Sequence, residues 1–228
     1  MFVMDESEAK IRIAKRVALD ISERSKNKDI IINLGIGLPT QVPDYVISDR
    51  VFIHTENGML GVGPEAKPGE GDPQLIDAGR KLVTETIGCS YFGSDLAFGM
   101  MRGGHLDFTV LGAYEVDERG NLASWTIPGS KKLGVGGSMD VVNGAKQVYI
   151  ATLHTNKKRK AKLIPQCTLP LTGFGKVDAV FTEYALFRFH NGKMMLEEIA
   201  PEITLKELKS VTTAEYVVSP DLKTMSLG

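Results

Sequence analysis

The chain has 228 residues, 43% of them apolar and 24% charged, with 27 basic side chains against 28 acidic ones. A net charge of −1 argues against nucleic acid as the main partner, and nowhere do some twenty apolar residues run together to span a membrane. Two cysteines, Cys89 and Cys167, lie far apart without CxxC or Cys/His spacing, which indicates neither a disulfide scaffold nor a zinc site. The opening "MFVMDESEAKIRIAKRV" meets charged residues too soon for a signal peptide. A soluble, cytoplasmic protein folded as one domain over residues 1–228 is therefore expected.

In chain order, Ile13, Ala14, Val17, Ala18 and Ile21 recur at helical spacing between Ser7 and about Arg24, with Ser7 as the expected cap. "DIIINLG" reads as a buried strand entering the glycine turn "GIGLPT", and "TQVPDYVIS" as a short helix. A second strand, "VFIHT", leads to Glu56 and a glycine turn from Gly58 to Gly63. Two strand-to-glycine junctions within about twenty-five residues indicate an open α/β sheet whose strand ends form a crevice. "GPEAKPGEGDPQ" reads as a surface loop. "LVTET", "FTVLGAYEV" and "QVYIATL" resemble further strands, with "SDLAFGMMRGG" as a helix between the first two. "KKLGVGGSMDVVNGAK" reads as a third glycine-rich turn, "EYALFRFHNGKMMLEEI" as a hairpin about Asn191-Gly192 with a type I′ turn, and "TLKELKSVT" as the last helix.

The candidate chemistry narrows by elimination. "NLGIGLPT" has Thr40 where a dinucleotide fingerprint needs its third glycine, and no Walker loop occurs. His54, His105, His154 and His190 are dispersed without metal-ligand spacing and read as ordinary polar or partly packed histidines. No Ser or Cys sits in a GxSxG elbow. The basic run "NKKRKAK", residues 156–162, reads as a solvated loop. What remains is Glu56 among glycine turns at Gly35–Gly37, Gly58–Gly63 and Gly134–Gly137. It is either a solvated acid on a turn or a reactive carboxylate. Carboxylates act as covalent nucleophiles, and glycine turns supply backbone N–H donors for an oxyanion, so the chemistry suggested is acyl exchange.

"TENGMLGVGP", "LIDAG", "MMRGGHLDFTVLGAYEVDERGNLASW", "GGSMDVVNGAK" and "CTLPLTG" follow one another as in the β subunit of the 3-oxoacid CoA-transferases, and the chain resembles that type I family from about residue 9 to 225. The resemblance implies the CoA-transferase fold, an open, mixed and mostly parallel sheet flanked by helices that is shared with sugar-phosphate isomerases. It also implies a separate α subunit, with an α2β2 heterotetramer as the usual assembly. Acyl-CoA and short carboxylic or 3-oxo acids would be the substrates, coenzyme A being a substrate rather than a cofactor, with no metal required.

Residue by residue, the resemblance makes Glu56 the nucleophile and Gly137 the oxyanion donor, a contact typically worth about 2.7 to 4 kcal/mol in the transition state. Asn33 would lie beside the nucleophile. Arg80 stands where the family has a CoA-contacting lysine, keeping the charge but changing the geometry of contact. Gly35, Gly37, Asn57, Gly58 and Gly136 complete the implied substrate and CoA site. The nucleophile must be ionised, which favours hydrogen bonds to its carboxylate over simple burial. Three departures bear on substrate preference: Thr55 for serine, Ser124 for asparagine and Asp77 for asparagine. A ligand-binding or regulatory module, or a sugar-phosphate isomerase using Glu56 as a base, are the alternatives the same fold admits.

Overall fold

The computed structural model describes residues 3–77, 79–129 and 134–227. Ala78 of "LIDAG" and the "KKL" that opens the third glycine-rich stretch lie outside the described residues. The first helix, α1 (Glu6–Ser25), is capped by Asp5 rather than Ser7: the Asp5 carboxylate accepts from the Ser7 N–H at 2.8 Å, which sets an acid at the positive end of the helix. The expected short helix after β1 (Ile30–Leu34) is a 3-10 helix, Leu38–Tyr45, with Pro43 inside it, where the missing N–H leaves no α-helical hydrogen bond to make.

Next come β2 (Val51–Thr55), β3 (Met59–Glu65), β4 (Val83–Tyr91), α2 (Ser94–Arg102), β5 (Phe108–Leu111), β6 (Glu115–Asp117) and β7 (Leu122–Ala123). The chain continues through α3 (Ser138–Gly144), β8 (Gln147–Ala151), β9 (Leu163–Ile164), β10 (Ala179–Phe181), β11 (Ala185–His190), β12 (Lys193–Ile199), α4 (Leu205–Val211) and β13 (Val217–Thr224). Among the described residues these strands form a ten-stranded sheet, in the order β13-β12-β11-β10-β8-β5-β1-β2-β3-β4, and a small sheet of β7, β6 and β9. The middle run β10-β8-β5-β1-β2 is parallel throughout, and antiparallel hairpins extend it at both edges. The open, mostly parallel α/β sheet expected from the sequence is therefore present.

Both faces of the parallel strands are covered, which is why they are mostly apolar, with Asn33, His54, Thr55 and Thr109 as buried polar exceptions. In β8, Tyr149 and Ala151 pack with Ile13, Val17 and Ile21 of α1, while Val148 and Ile150 join Met101 of α2 and Val142 of α3 on the opposite side. Long polar side chains seal the α1 side. Tyr149 donates its hydroxyl proton to Asp20 at 2.8 Å, and Arg16 pairs with Glu198 at 2.6 Å.

Several local readings change. The supposed glycine turn from Gly58 to Gly63 is mostly strand: Gly61 and Gly63 lie in β3, where a Cβ would come within 2.9 Å of Thr86 Oγ1 and 2.6 Å of Thr84 Oγ1. Those glycines serve the close approach of β4. "FTVLGAYEV" divides at Gly112 into β5 and β6, which belong to different sheets, and the third glycine-rich stretch contains α3. The hairpin and last helix stand as expected, with Asn191 and Gly192 both at positive φ and a Thr204/Glu207 capping box on α4. No helix among the described residues is long and apolar enough to cross a membrane.

His154 is fully buried, its ring nitrogens 3.0 Å from Thr182 Oγ1 and 2.8 Å from Thr212 Oγ1, and burial pushes its pKa down to about 3. The unfolded chain takes up this proton near pH 6.5 and the native chain does not, so stability is lost progressively as pH falls from about 6.5 toward 3, by on the order of a few kcal/mol. Urea unfolding at pH 7.0 and 5.5, above most carboxylate titration, should show the decline, with a shallower slope in His154→Gln. Equal slopes in the two proteins would remove His154 from the account.

Candidate active site

From β1 the chain passes to β2 on one side, whereas β5, β1's other neighbour, leads on to β8 and β10 in the opposite direction. The carboxyl ends of β1 and β5 therefore diverge, and in open α/β sheets that divergence forms the ligand crevice. A cleft of about 560 Å³ lies there, walled by Asn33–Gly35 at the end of β1, Leu111–Ala113 at the end of β5, Ala151–Leu153 at the end of β8 and Gly134–Ser138 at the entry to α3. Glu56 reaches it from the end of β2 and is the sole acid among its described lining residues.

A tight connection fixes Glu56. Thr55 pairs with Met59 across the β2–β3 hairpin, and the Gly58 N–H donates to the Thr55 carbonyl at 3.1 Å, leaving residues 56–58 as the turn. Gly58 has φ +111, and a Cβ there would sit 1.9 Å from the Phe92 carbonyl oxygen, which leaves no room for any side chain. The Gly58 carbonyl in turn accepts from the Phe92 N–H at 2.9 Å, tying the turn to the entry of α2. On the other flank the Asn33 side chain, buried, donates from Nδ2 to the His54 carbonyl at 3.2 Å. Asn33 thus clamps the end of β2 to β1, two residues before Glu56.

Beneath the turn His54 is fully buried and its ring stacks on Phe92 with centroids 6.2 Å apart. Burial pulls its pKa below the usual histidine range, against the opposing pull of the Glu56 charge. The half-buried Glu56 carboxylate itself accepts no hydrogen bond and pairs with no cation among the described residues, in contrast to the hydrogen-bonded carboxylate the sequence led us to expect. Its side chain lines the cleft.

The structure brings together Glu56, Asn33, Gly35, Gly136 and Gly137 in one cleft. The other four implied residues line no part of it. Gly37, at φ +99, precedes the 3-10 helix, and Gly58 forms the turn behind Glu56. Asn57 points away and donates to the Ile76 carbonyl at 2.9 Å. Arg80, exposed and at φ 66, sits in the turn between Asp77 and Lys81. Of the three departures, Thr55 is buried, and its hydroxyl has no partner among the described residues. Ser124 lines the cleft and shares a 2.8 Å hydrogen bond with Thr172, while Asp77 accepts from the Lys81 N–H in a smaller neighbouring pocket.

Among the cleft residues that escaped the sequence reading are Lys10 of α1, Lys162 and Trp125. Lys162, the last residue of the basic run, turns inward beside the strand pair Leu163-Ile164, and that apolar pair was the available signal. Trp125, the chain's single tryptophan, also lines the cleft.

An open α/β sheet with one carboxylate presented at its switch-point cleft defines an enzyme architecture for small ligands. The coenzyme A transferase family model matches residues 11–210. A Bacillus subtilis protein, named as one subunit of a "Probable succinyl-CoA:3-ketoacid coenzyme A transferase", is 43% identical over 216 residues, covering 93% of this chain and 96% of that protein. The beta chain of the acetate CoA-transferase of Escherichia coli strain K12 is 42% identical over 218 residues, covering 95% and 97%. The chain belongs to the coenzyme A transferase family, with β subunits among its relatives, and is a CoA-transferase enzyme chain. Among solved structures, an acyl-CoA transferase of Escherichia coli O157:H7 shares the fold at a TM-score of 0.73 and 22% identity; the match covers all of this chain but only 45% of that longer one.

Gly58→Ala should unfold at a Tm several degrees lower, since it meets both a left-handed φ and a backbone clash, costing on the order of 2 kcal/mol or more. Thermal unfolding followed by circular dichroism would test this, and an unchanged Tm would show that the turn tolerates a Cβ.

Proposed function

We propose that this chain is the β subunit of a 3-oxoacid CoA-transferase that moves CoA between an acyl-CoA, such as succinyl-CoA or a short-chain acyl-CoA, and a 3-oxoacid such as acetoacetate. The observation that carries this reading is the Glu56 carboxylate, uncommitted to any partner among the described residues and held at the cleft by a turn that only glycine can close. A carboxylate serving only to stabilise the fold would be expected to hold a hydrogen bond or an ion pair.

In the proposed cycle, a Glu56 oxygen attacks the thioester carbonyl carbon and the C–S bond breaks, giving a mixed anhydride and CoA thiolate. The thiolate attacks the glutamyl carbonyl, releasing the first acid as its carboxylate and leaving a glutamyl-CoA thioester. A second carboxylate attacks that thioester, expelling thiolate, which then attacks the new acyl carbonyl to form the second acyl-CoA and restore Glu56. Each intermediate retains an activated acyl bond, so the exchange needs no ATP. The developing oxyanion would be met by backbone N–H groups of the glycine stretch at Gly136 and Gly137, both of which line the cleft. Asn33 serves as a positioning residue through the His54 carbonyl.

An α subunit completes the proposal. The cleft opens to solvent, and its rim carries Ile36 and Tyr114 at 72% and 39% exposure, apolar surface that a second chain would cover. An α2β2 assembly follows the arrangement implied by the family resemblance.

Incubating the α/β complex with acyl-CoA should place a CoA adduct on the Glu56 peptide, visible by mass spectrometry. Glu56→Gln should form none and lose exchange by roughly a thousand-fold or more, as nucleophile removal does elsewhere, while still assembling. Near-normal turnover in that variant would refute the assignment, and a wild-type complex without adduct would favour an isomerase or a ligand-binding module. The isolated chain should be inactive; exchange by the purified chain alone would show that no second subunit is needed.

A further inference from the structure

Among the described residues two cations line the cleft, and the proposed cycle uses neither: Lys10, whose ammonium is paired with Glu6 at 2.6 Å, and Lys162. The Lys162 ammonium donates to the Ala113 carbonyl at 2.9 Å and to Thr152 Oγ1 at 2.7 Å, both neutral acceptors, and no carboxylate lies within ion-pair distance among the described residues. Burial lowers its pKa, and Glu183 and Glu6 only partly oppose that. A largely buried cation with two neutral partners keeps one donor and an unanswered charge, an arrangement that normally calls for an anion. The indole Nε1–H of Trp125, another lining residue, is also buried and donates to nothing among the described residues.

The spacing matches a particular acyl group. Ala113 follows β5 and Thr152 follows β8, two and three strands from β2, whose end carries Glu56. At about 4.8 Å per strand, the Lys162 ammonium is on the order of 10 to 14 Å across the sheet from the nucleophile's strand. In a four-carbon dicarboxylic acyl group the reacting carbon and the terminal carboxyl carbon are roughly 4 Å apart, and a contact of about 3 Å at each end brings the span to about 10 Å. An acetyl group falls several ångströms short of that.

We propose that Lys162 is the specificity-determining residue of this cleft and binds the terminal carboxylate of a dicarboxylic acyl group whose other end reacts at Glu56. This rests on the CoA-transferase reading above and adds the residue that would distinguish succinyl-CoA from an acyl-CoA without a terminal carboxylate.

The test uses the α/β complex with succinyl-CoA and butyryl-CoA as alternative donors. In Lys162→Met the ratio of kcat/KM for succinyl-CoA over butyryl-CoA should fall by roughly 30-fold or more, chiefly through KM, the scale of a lost hydrogen bond to a charged group. Lys162→Arg should recover part of that ratio. Without any variant, the wild-type complex should accept succinate far better than its monomethyl ester, which keeps one reactive carboxylate and lacks the terminal charge. An ester as good as succinate, a Lys162→Met ratio equal to wild type, or a wild-type preference for butyryl-CoA would each overturn the assignment, while the Glu56 adduct formed from any acyl-CoA would leave the transferase reading standing. No adduct and no exchange with any donor would refute the transferase reading itself, and the assignment of Lys162 with it.

Discussion

The geometry of the site depends on one tight turn. Gly58 lies against the Phe92 carbonyl with no space for a Cβ, and this contact locks the β2–β3 hairpin to the start of α2. Glu56, two residues earlier, has no freedom to leave the strand end. From the other side Asn33 holds the His54 carbonyl, so the carboxylate's backbone is fixed by two neighbours that make no use of the carboxylate itself. The proposed nucleophilic role would need this division of labour: the side chain stays uncommitted while the main chain is overdetermined.

The sheet provides the frame for that turn. Because β1 is buried on both faces and flanked by parallel strands, its carboxyl end cannot shift without disturbing the packing of Ile30 and Ile32 against α1. The cleft forms where β1 and β5 lead the chain in opposite directions, a consequence of strand order rather than of any one residue. Charge is distributed in keeping with this. The ion pairs of Arg16 and Arg188 seal the α1 face, and the described lining of the cleft carries one carboxylate, Glu56, and two lysines, Lys10 and Lys162.

Much of this was legible in the sequence, in proportion to how local the cause was. Helix α1, strands β1 and β2, the Asn191-Gly192 hairpin and α4 each have a complete local signal, a period, a turn pair or a capping box. Glu56, Asn33, Gly35, Gly136 and Gly137 were legible through motifs, and the fold does gather them. What failed depended on neighbours distant in sequence. Gly61 and Gly63 suggest a turn until β4 is laid beside them, and β7, β9 and β10 are too short to show a period. Asn57 and Arg80, assigned a binding role by motif position, lie outside this cleft, beside a neighbouring loop and at a turn tip, a placement that the motifs do not show. Lys162 stood in a run whose other lysines are exposed, and only the small sheet that turns Leu163 inward distinguishes it.

The proposed intermediates explain why such a cleft should not work alone. A mixed anhydride and a thioester are both open to attack by water, and the Glu56 carboxylate faces a cleft that is open to solvent in this chain. Transfer outruns hydrolysis only when the activated acyl group is held dry between two walls. In the proposed cycle this chain would supply one wall, with Glu56 as nucleophile, the glycine amides and the lysines, and Ile36 and Tyr114 give its exposed rim apolar surface. On this reading the second subunit acts first as a lid against water, and the requirement for two chains follows from the reactivity of the intermediate rather than from any missing catalytic group.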